Sequence, residues 1–234
     1  MGRGGTRARL GQALGAFSSN WANPNLRRAQ LSFLGAWTAE WAFTVALGIV
    51  AYNDGGAVAL GLVGLLRMLP SAILAPVLSP FPDRGRRERV LVVVSVLRGI
   101  ATAVAAVVVA VSGPIVMVYA LAVLSTIAAT LFRPAHSALL PTLCRTGHEL
   151  ASANVVRGLL DSVATLVGPL LAALVLAVAD VSIVFAVAAA ASFWAALLLF
   201  RVRYDAPPRP PAPRPDLLAE GVQGLLAVGR SRDL

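Results

Sequence analysis

GLVGLLRMLPSAILAPVLSPFPDRGRRERVLVVVSVLRGIATAVAAVVVAVSG, residues 61–113, sets two long apolar runs on either side of the charged decapeptide FPDRGRRERV at 81–90. A helix crosses the hydrocarbon of a bilayer with about 20 mostly apolar residues. Each run is about that long, and each holds a single arginine in its interior, Arg67 and Arg98. The stretch therefore predicts two membrane-crossing helices joined by a charged turn.

Composition extends this reading to the whole chain. Hydrophobic residues make up 58 % of the 234 positions and charged residues 13 %, against roughly 45–50 % and about 25 % in soluble domains. The formal charge of +9 comes from arginine alone, since lysine is absent. Most of these arginines lie between apolar runs, which suits membrane orientation better than phosphate contact, so no nucleic-acid partner is expected. Cys144 is the single cysteine, so no disulfide forms within the chain. The basic N-terminus lacks the apolar core and cleavage site of a signal peptide.

Six segments reach or approach spanning length, at about 31–52, 57–80, 90–112, 114–133, 155–179 and 181–203. The expected fold is an all-α membrane protein of six transmembrane helices. Residues 1–30 form a basic N-terminal segment and 31–203 the bundle. Residues 204–216, DAPPRPPAPRPD from 205 onward, read as a semi-rigid proline-rich linker, and 217–234 as an amphipathic segment. The turns at 53–56, 112–114 and 179–180 lack arginine, whereas the opposite connections carry Arg27, Arg28, Arg84, Arg86, Arg87, Arg89, Arg145, Arg201 and Arg203. By the positive-inside rule both termini are cytoplasmic, in a multi-pass protein of the inner or plasma membrane.

Arginines hold a short turn inside, but acidic residues contribute little to orientation, so Asp83 asks for another explanation. The turn resembles a cytoplasmic signature of the major facilitator superfamily of transporters, G-x-x-x-D-R-x-G-R-R. Asp83 and Arg84 fill its Asp-Arg pair and Arg87 its next arginine, while Ser79, Arg86 and Glu88 depart from the pattern and Arg89 follows. The resemblance implies that these charges latch two halves of a transporter. ATLVGPLLAA at 164–173 is similar to the exporter signature G-x-x-x-G-P-x-x-G-G. Gly168 and Pro169 match it, and Ala164, Ala172 and Ala173 stand where the family has glycine. NPNLRRAQLSFLGAWTAEW at 23–41 and FRPAHSALLPTL at 132–143 also look like drug-exporter members. The resemblance implies one six-helix half, with a second half, from the same gene or another copy, as partner. On that reading the chain is a fragment, a truncated product or a half-unit.

Charged groups inside spans usually face a bundle interior or a water-filled path. Four stand out, Glu40, Arg67, Arg98 and Asp161. At 1.5 Å per residue Glu40 lies about 13 Å from the inner face and Arg67 about 15 Å from the outer one, so both approach the midplane. Arg98 and Asp161 lie roughly 12 and 9 Å from the inner face. Glu40 is expected to pair with Arg67 or Arg98, either as a static tie between helices or as a carboxylate that carries a coupling proton. His136, Cys144 and His148 are placed in one connection, at spacings that match no zinc pattern, so neither metal nor cofactor is expected. No nucleophile–base arrangement or phosphate loop points to an enzyme. The expected function is proton-coupled efflux of an unidentified small molecule by alternating access. The alternative is a non-transporting membrane module that regulates a partner membrane protein.

Overall fold

The computed structural model describes residues 21–78 and 86–203, and every long element is helical. Among the described residues five long helices follow one another: α1 (Pro24–Leu78), α2 (Arg87–Ala110), α3 (Ile115–Leu143), α4 (Gly147–Leu176) and α5 (Val181–Phe200). All five are long and apolar enough to cross a membrane. They replace the six separate segments expected, because the first two lie within α1.

A straight helix of 55 residues would be about 80 Å long. α1 instead leaves helical geometry at Gly55 (φ −152°, ψ 27°) and Gly56 (φ 64°, ψ −151°). The second of these conformations is one that residues with a Cβ rarely adopt. Glu40 and Arg67 are 27 residues apart, about 40 Å along a straight helix. Yet they touch at 2.9 Å, so the chain folds back at the two glycines into two antiparallel arms.

α1 starts at Pro24, earlier than 31, because Asn23 caps it. The Asn23 Oδ1 accepts from the backbone N–H of Asn25 (3.2 Å) and Leu26 (3.3 Å), and proline follows at the position where its missing N–H is harmless. Leu26, Ala29 and Gln30 are consequently buried in the bundle. The fourth expected segment likewise runs past 133 to Leu143, through Pro134 and Pro141. Proline removes a helix hydrogen bond, but Ala135, His136, Leu139, Leu140 and Leu143 are buried in one apolar cluster along this extension, which offsets the loss. α4 starts at 147 rather than 155. Thr146 Oγ1 accepts from Glu149 N (3.1 Å), and the Glu149 carboxylate returns to Arg145 N (2.7 Å), a variant of the capping box shifted by one residue. The expected 134–154 connection thus shrinks to the few residues between Leu143 and Gly147, and His136 moves from a loop into a helix.

α1 packs against α3, α4 and α5, and α2 against α3 and α5. α5 has no charged residue and wedges its adjacent aromatics onto two glycines. A Cβ on Gly35 would meet Trp194 at 2.7 Å, and one on Gly99 would meet Phe193 at 2.8 Å. Two clusters fill the core, one around Phe43, Leu47 and Phe185, the other around Phe33, Phe132 and Leu139. Outward-facing Leu62, Leu65, Val107, Leu166, Leu174 and Phe200 remain exposed, as expected of helices solvated by lipid.

The arginine-bearing ends of the helices meet at one end of the bundle. Asn23 Nδ2 bonds both Leu143 O and Glu149 Oε1 at 3.0 Å, joining the start of α1 to the end of α3 and the start of α4. Arg28 Nη1 donates to Arg201 O (2.8 Å) and Arg203 N to Asn25 Oδ1 (3.2 Å). At the other end Tyr119 Oη reaches Asp54 in the α1 turn (2.9 Å). There Ser112 (φ 51°) ends α2, with Gly113 N bonding Val108 O (2.8 Å) and Ser112 N bonding Val109 O (3.1 Å).

Candidate functional site: a carboxylate between two arginines

Glu40 lies near the middle of the first arm of α1, Arg67 near the middle of the second, and Arg98 near the middle of α2. Folding α1 at Gly55–Gly56 sets the first two opposite one another, and the Arg98 side chain reaches them from α2, which itself packs on α3 and α5. Glu40 Oε1 accepts from Arg67 Nη2 at 2.9 Å, and Oε2 accepts from Arg98 Nη2. The sequence left a choice of partner, and the structure supplies both.

The two arginines are held differently. Arg67 Nε donates to Thr126 Oγ1 on α3 (2.8 Å), its Nη1 lies 3.5 Å from Thr44 Oγ1, and its guanidinium stands 5.2 Å from the Phe43 ring centroid. Thr126 and Thr44 in turn donate to carbonyls one turn back, Ala122 O and Glu40 O, and this fixes their hydroxyl oxygens as acceptors for Arg67. Arg98 is more deeply set, with 3 % of its side chain exposed against 13 % for Arg67 and 16 % for Glu40. A cavity of about 500 Å³ opens beside the cluster, between the arms of α1 and α4. Trp41, Thr44, Leu60 and Pro169 line it, so Thr44 faces both the cavity and Arg67.

Asp161 does not join this group. Its two carboxylate oxygens take Arg133 Nη2 at 2.8 and 3.0 Å, linking α4 to α3. Arg133 also stacks 4.2 Å from the Trp37 ring centroid. Arg157, on the same face of α4, donates to Ser137 Oγ (2.6 Å) and stands 5.3 Å from the Phe33 ring. Sequence reasoning overlooked Arg133 as a partner because it ended the fourth helix there. Thr44 was overlooked too, although it follows Glu40 by one helical turn. His136 is fully buried, its Nε2 3.1 Å from Ala29 O and its ring tilted against Phe33 and parallel to Phe132.

Of the residues at the exporter-signature positions, Ala164, Gly168 and Ala172 form a buried stripe, whereas Ala173 is exposed and Pro169 faces the cavity. A Cβ on Gly168 would lie 2.5 Å from Trp41 Cβ and 2.9 Å from Thr38 O, so only glycine allows α4 to sit this close to α1. Of the signature loop, Ser79, Asp83 and Arg84 lie outside the described residues. Arg87 opens α2 and donates from Nη1 to Ala138 O at 2.9 Å, and Arg89 is exposed. Cys144, between α3 and α4, has its thiol pushed up to about 11 by partial burial, with the Glu149 carboxylate adding to the shift.

Comparison with the curated proteins and with the solved structures gave no match. The family model of the Major Facilitator Superfamily matches residues 31–232. A bundle of membrane-length helices with charge concentrated at mid-depth agrees with that match, and the chain belongs to the Major Facilitator Superfamily of membrane transporters.

Proposed function

We propose that this chain is one six-span half of a proton-coupled exporter of small molecules, with Glu40 as the coupling carboxylate. The observation that carries the reading is the bridge from Glu40 to Arg67 and Arg98. A single carboxylate shared by two cations on separate helices can release one of them when helices shift, and so couple its proton to a change of shape. The glycine break supports counting the two arms of α1 as two spans, since each is near the length that crosses a ~30 Å core.

On this reading the arginine-rich end faces the cytoplasm of a cell or inner membrane, in keeping with the positive-inside rule. A second six-helix half, from the same gene or another copy, rocks against this one around a midplane site. The half-exposed Arg133–Asp161 pair and the signature arginines Arg87 and Arg89 fall in the cytoplasmic part of that arrangement. The regulatory alternative gains nothing from the geometry, because a partner-binding module has no need of charge at mid-depth.

The test uses proteoliposomes loaded with a pH-sensitive dye and offered ethidium or 2-naphthoate. Proton flux that follows either compound and is lost in Glu40→Gln supports the reading. Flux at an unchanged rate in Glu40→Gln removes Glu40 from coupling.

A further inference from the structure

The cluster holds two cations and one anion, and much of its hydrogen-bonding capacity is unused. Among the described residues, Arg98 Nε and Nη1 are buried without an acceptor. Ser95 Oγ, one turn back on α2, is also buried and unpartnered. So is Trp41 Nε1, on the residue that follows Glu40 and lines the cavity. Buried N–H groups left unpaired are costly, more so on a charged group, and an acceptor placed there recovers the loss. Arg67, by contrast, is anchored by Thr126 and Thr44 independently of Glu40, so its guanidinium keeps its place if the carboxylate moves.

We infer that the cluster is the head-group site for a small organic anion, whose apolar body lies in the cavity between Trp41, Leu60 and Pro169. A carboxylate or sulfonate competes with Glu40 for Arg67, beside Thr44 on the cavity wall, and takes up the unused donor of Trp41, while the displaced Glu40 turns to the spare donors of Arg98. A monovalent anion also neutralises the single excess positive charge. Arginine suits the task because its planar fork matches carboxylate oxygens. This inference rests on the transporter reading and adds a substrate class to it.

The experiment measures binding to the full chain in phosphatidylcholine nanodiscs by equilibrium dialysis. The probes are 2-naphthoate and 2-naphthylmethylammonium, which share a body and differ in charge. Naphthoate is expected to bind at least tenfold more tightly. Arg67→Gln and Arg98→Gln should each weaken it about tenfold, and Glu40→Gln should tighten it a few-fold by removing the competitor. Equal or tighter binding of the ammonium probe by the unaltered chain overturns the inference, with no variant needed. Weaker naphthoate binding in a Glu40→Gln chain of unchanged helicity overturns it too. Loss of naphthoate binding on adding phosphatidylglycerol to the nanodisc would assign the site to a lipid head group instead. Naphthoate preference without coupled proton flux leaves this site standing and removes proton coupling; flux driven by ethidium without naphthoate preference does the reverse.

Discussion

Two of the arginine–carboxylate clusters among the described residues differ chiefly in surroundings. Glu40, Arg67 and Arg98 lie between helices with little exposure, each carboxylate oxygen taken by a different helix or arm. Arg133 and Asp161 meet through one nitrogen, Nη2, shared by both carboxylate oxygens, and are 47 % and 38 % exposed. A buried charge that loses its partner is left stranded in a medium of low dielectric, whereas an exposed one is taken up by water. Burial, more than contact distance, ranks the first cluster above the second.

Glu40→Ala should therefore have the largest effect, a loss of about 3–5 kcal/mol, because it strands two guanidiniums at once. Titration of the purified chain with a denaturing detergent measures it, and a loss no larger than that of Asp161→Asn would erase the distinction between the clusters. Gly168→Ala comes next, at about 1–3 kcal/mol, since the new methyl must displace Trp41 or the α1 backbone. It also separates the clusters, because the new methyl presses on Thr38, Trp41 and Ala42, which flank Glu40, and lies about two helical turns from Asp161. Double-mutant cycles should show coupling between Gly168→Ala and Glu40→Gln, and near additivity with Asp161→Asn. Asp161→Asn alone should cost about 1 kcal/mol or less. The smallest effect is on Cys144, which lies near Glu149 but in neither cluster. Its thiol should resist maleimide at pH 8, with an alkylation midpoint near 11 where a free cysteine reacts near 8.5. A normal rate would mean that the α3–α4 junction opens readily.

Much of this was legible from residue spacing. Counting residues from each end of a span put Glu40 and Arg67 at one depth, and rigid helices at a fixed rise leave such a pair little choice but to meet. What could not be counted was the lateral arrangement that lets Arg98 reach the same carboxylate from α2. An apolar run of spanning length ended the fourth segment at 133, whereas α3 continues through Pro134 and Pro141, where burial of Leu139 and Leu140 outweighs a missing hydrogen bond. The Thr146–Glu149 cap was a readable sign of the α4 start, hidden by the weak hydrophobicity of the helix's first turns. Arg133 and Asp161 became partners only once both helices were long enough to place them side by side. Close packing of the exporter-like stripe at Gly168 depends on the neighbour α1, which the stripe itself does not specify, and one of its alanines, Ala173, turns outward.

The second arm of α1 touches the rest of the bundle along a narrow line, with Val63 and Ser71 buried on either side of Arg67 and most of its leucines facing out. A rod seated on so thin a line gives up few apolar contacts when it turns about its own axis. It cannot slide lengthwise without tearing the Arg67 guanidinium from Thr126 and Glu40 together. A roll would swing the same guanidinium off the same partners, so an arm with few apolar contacts takes both its height and its rotation from one side chain.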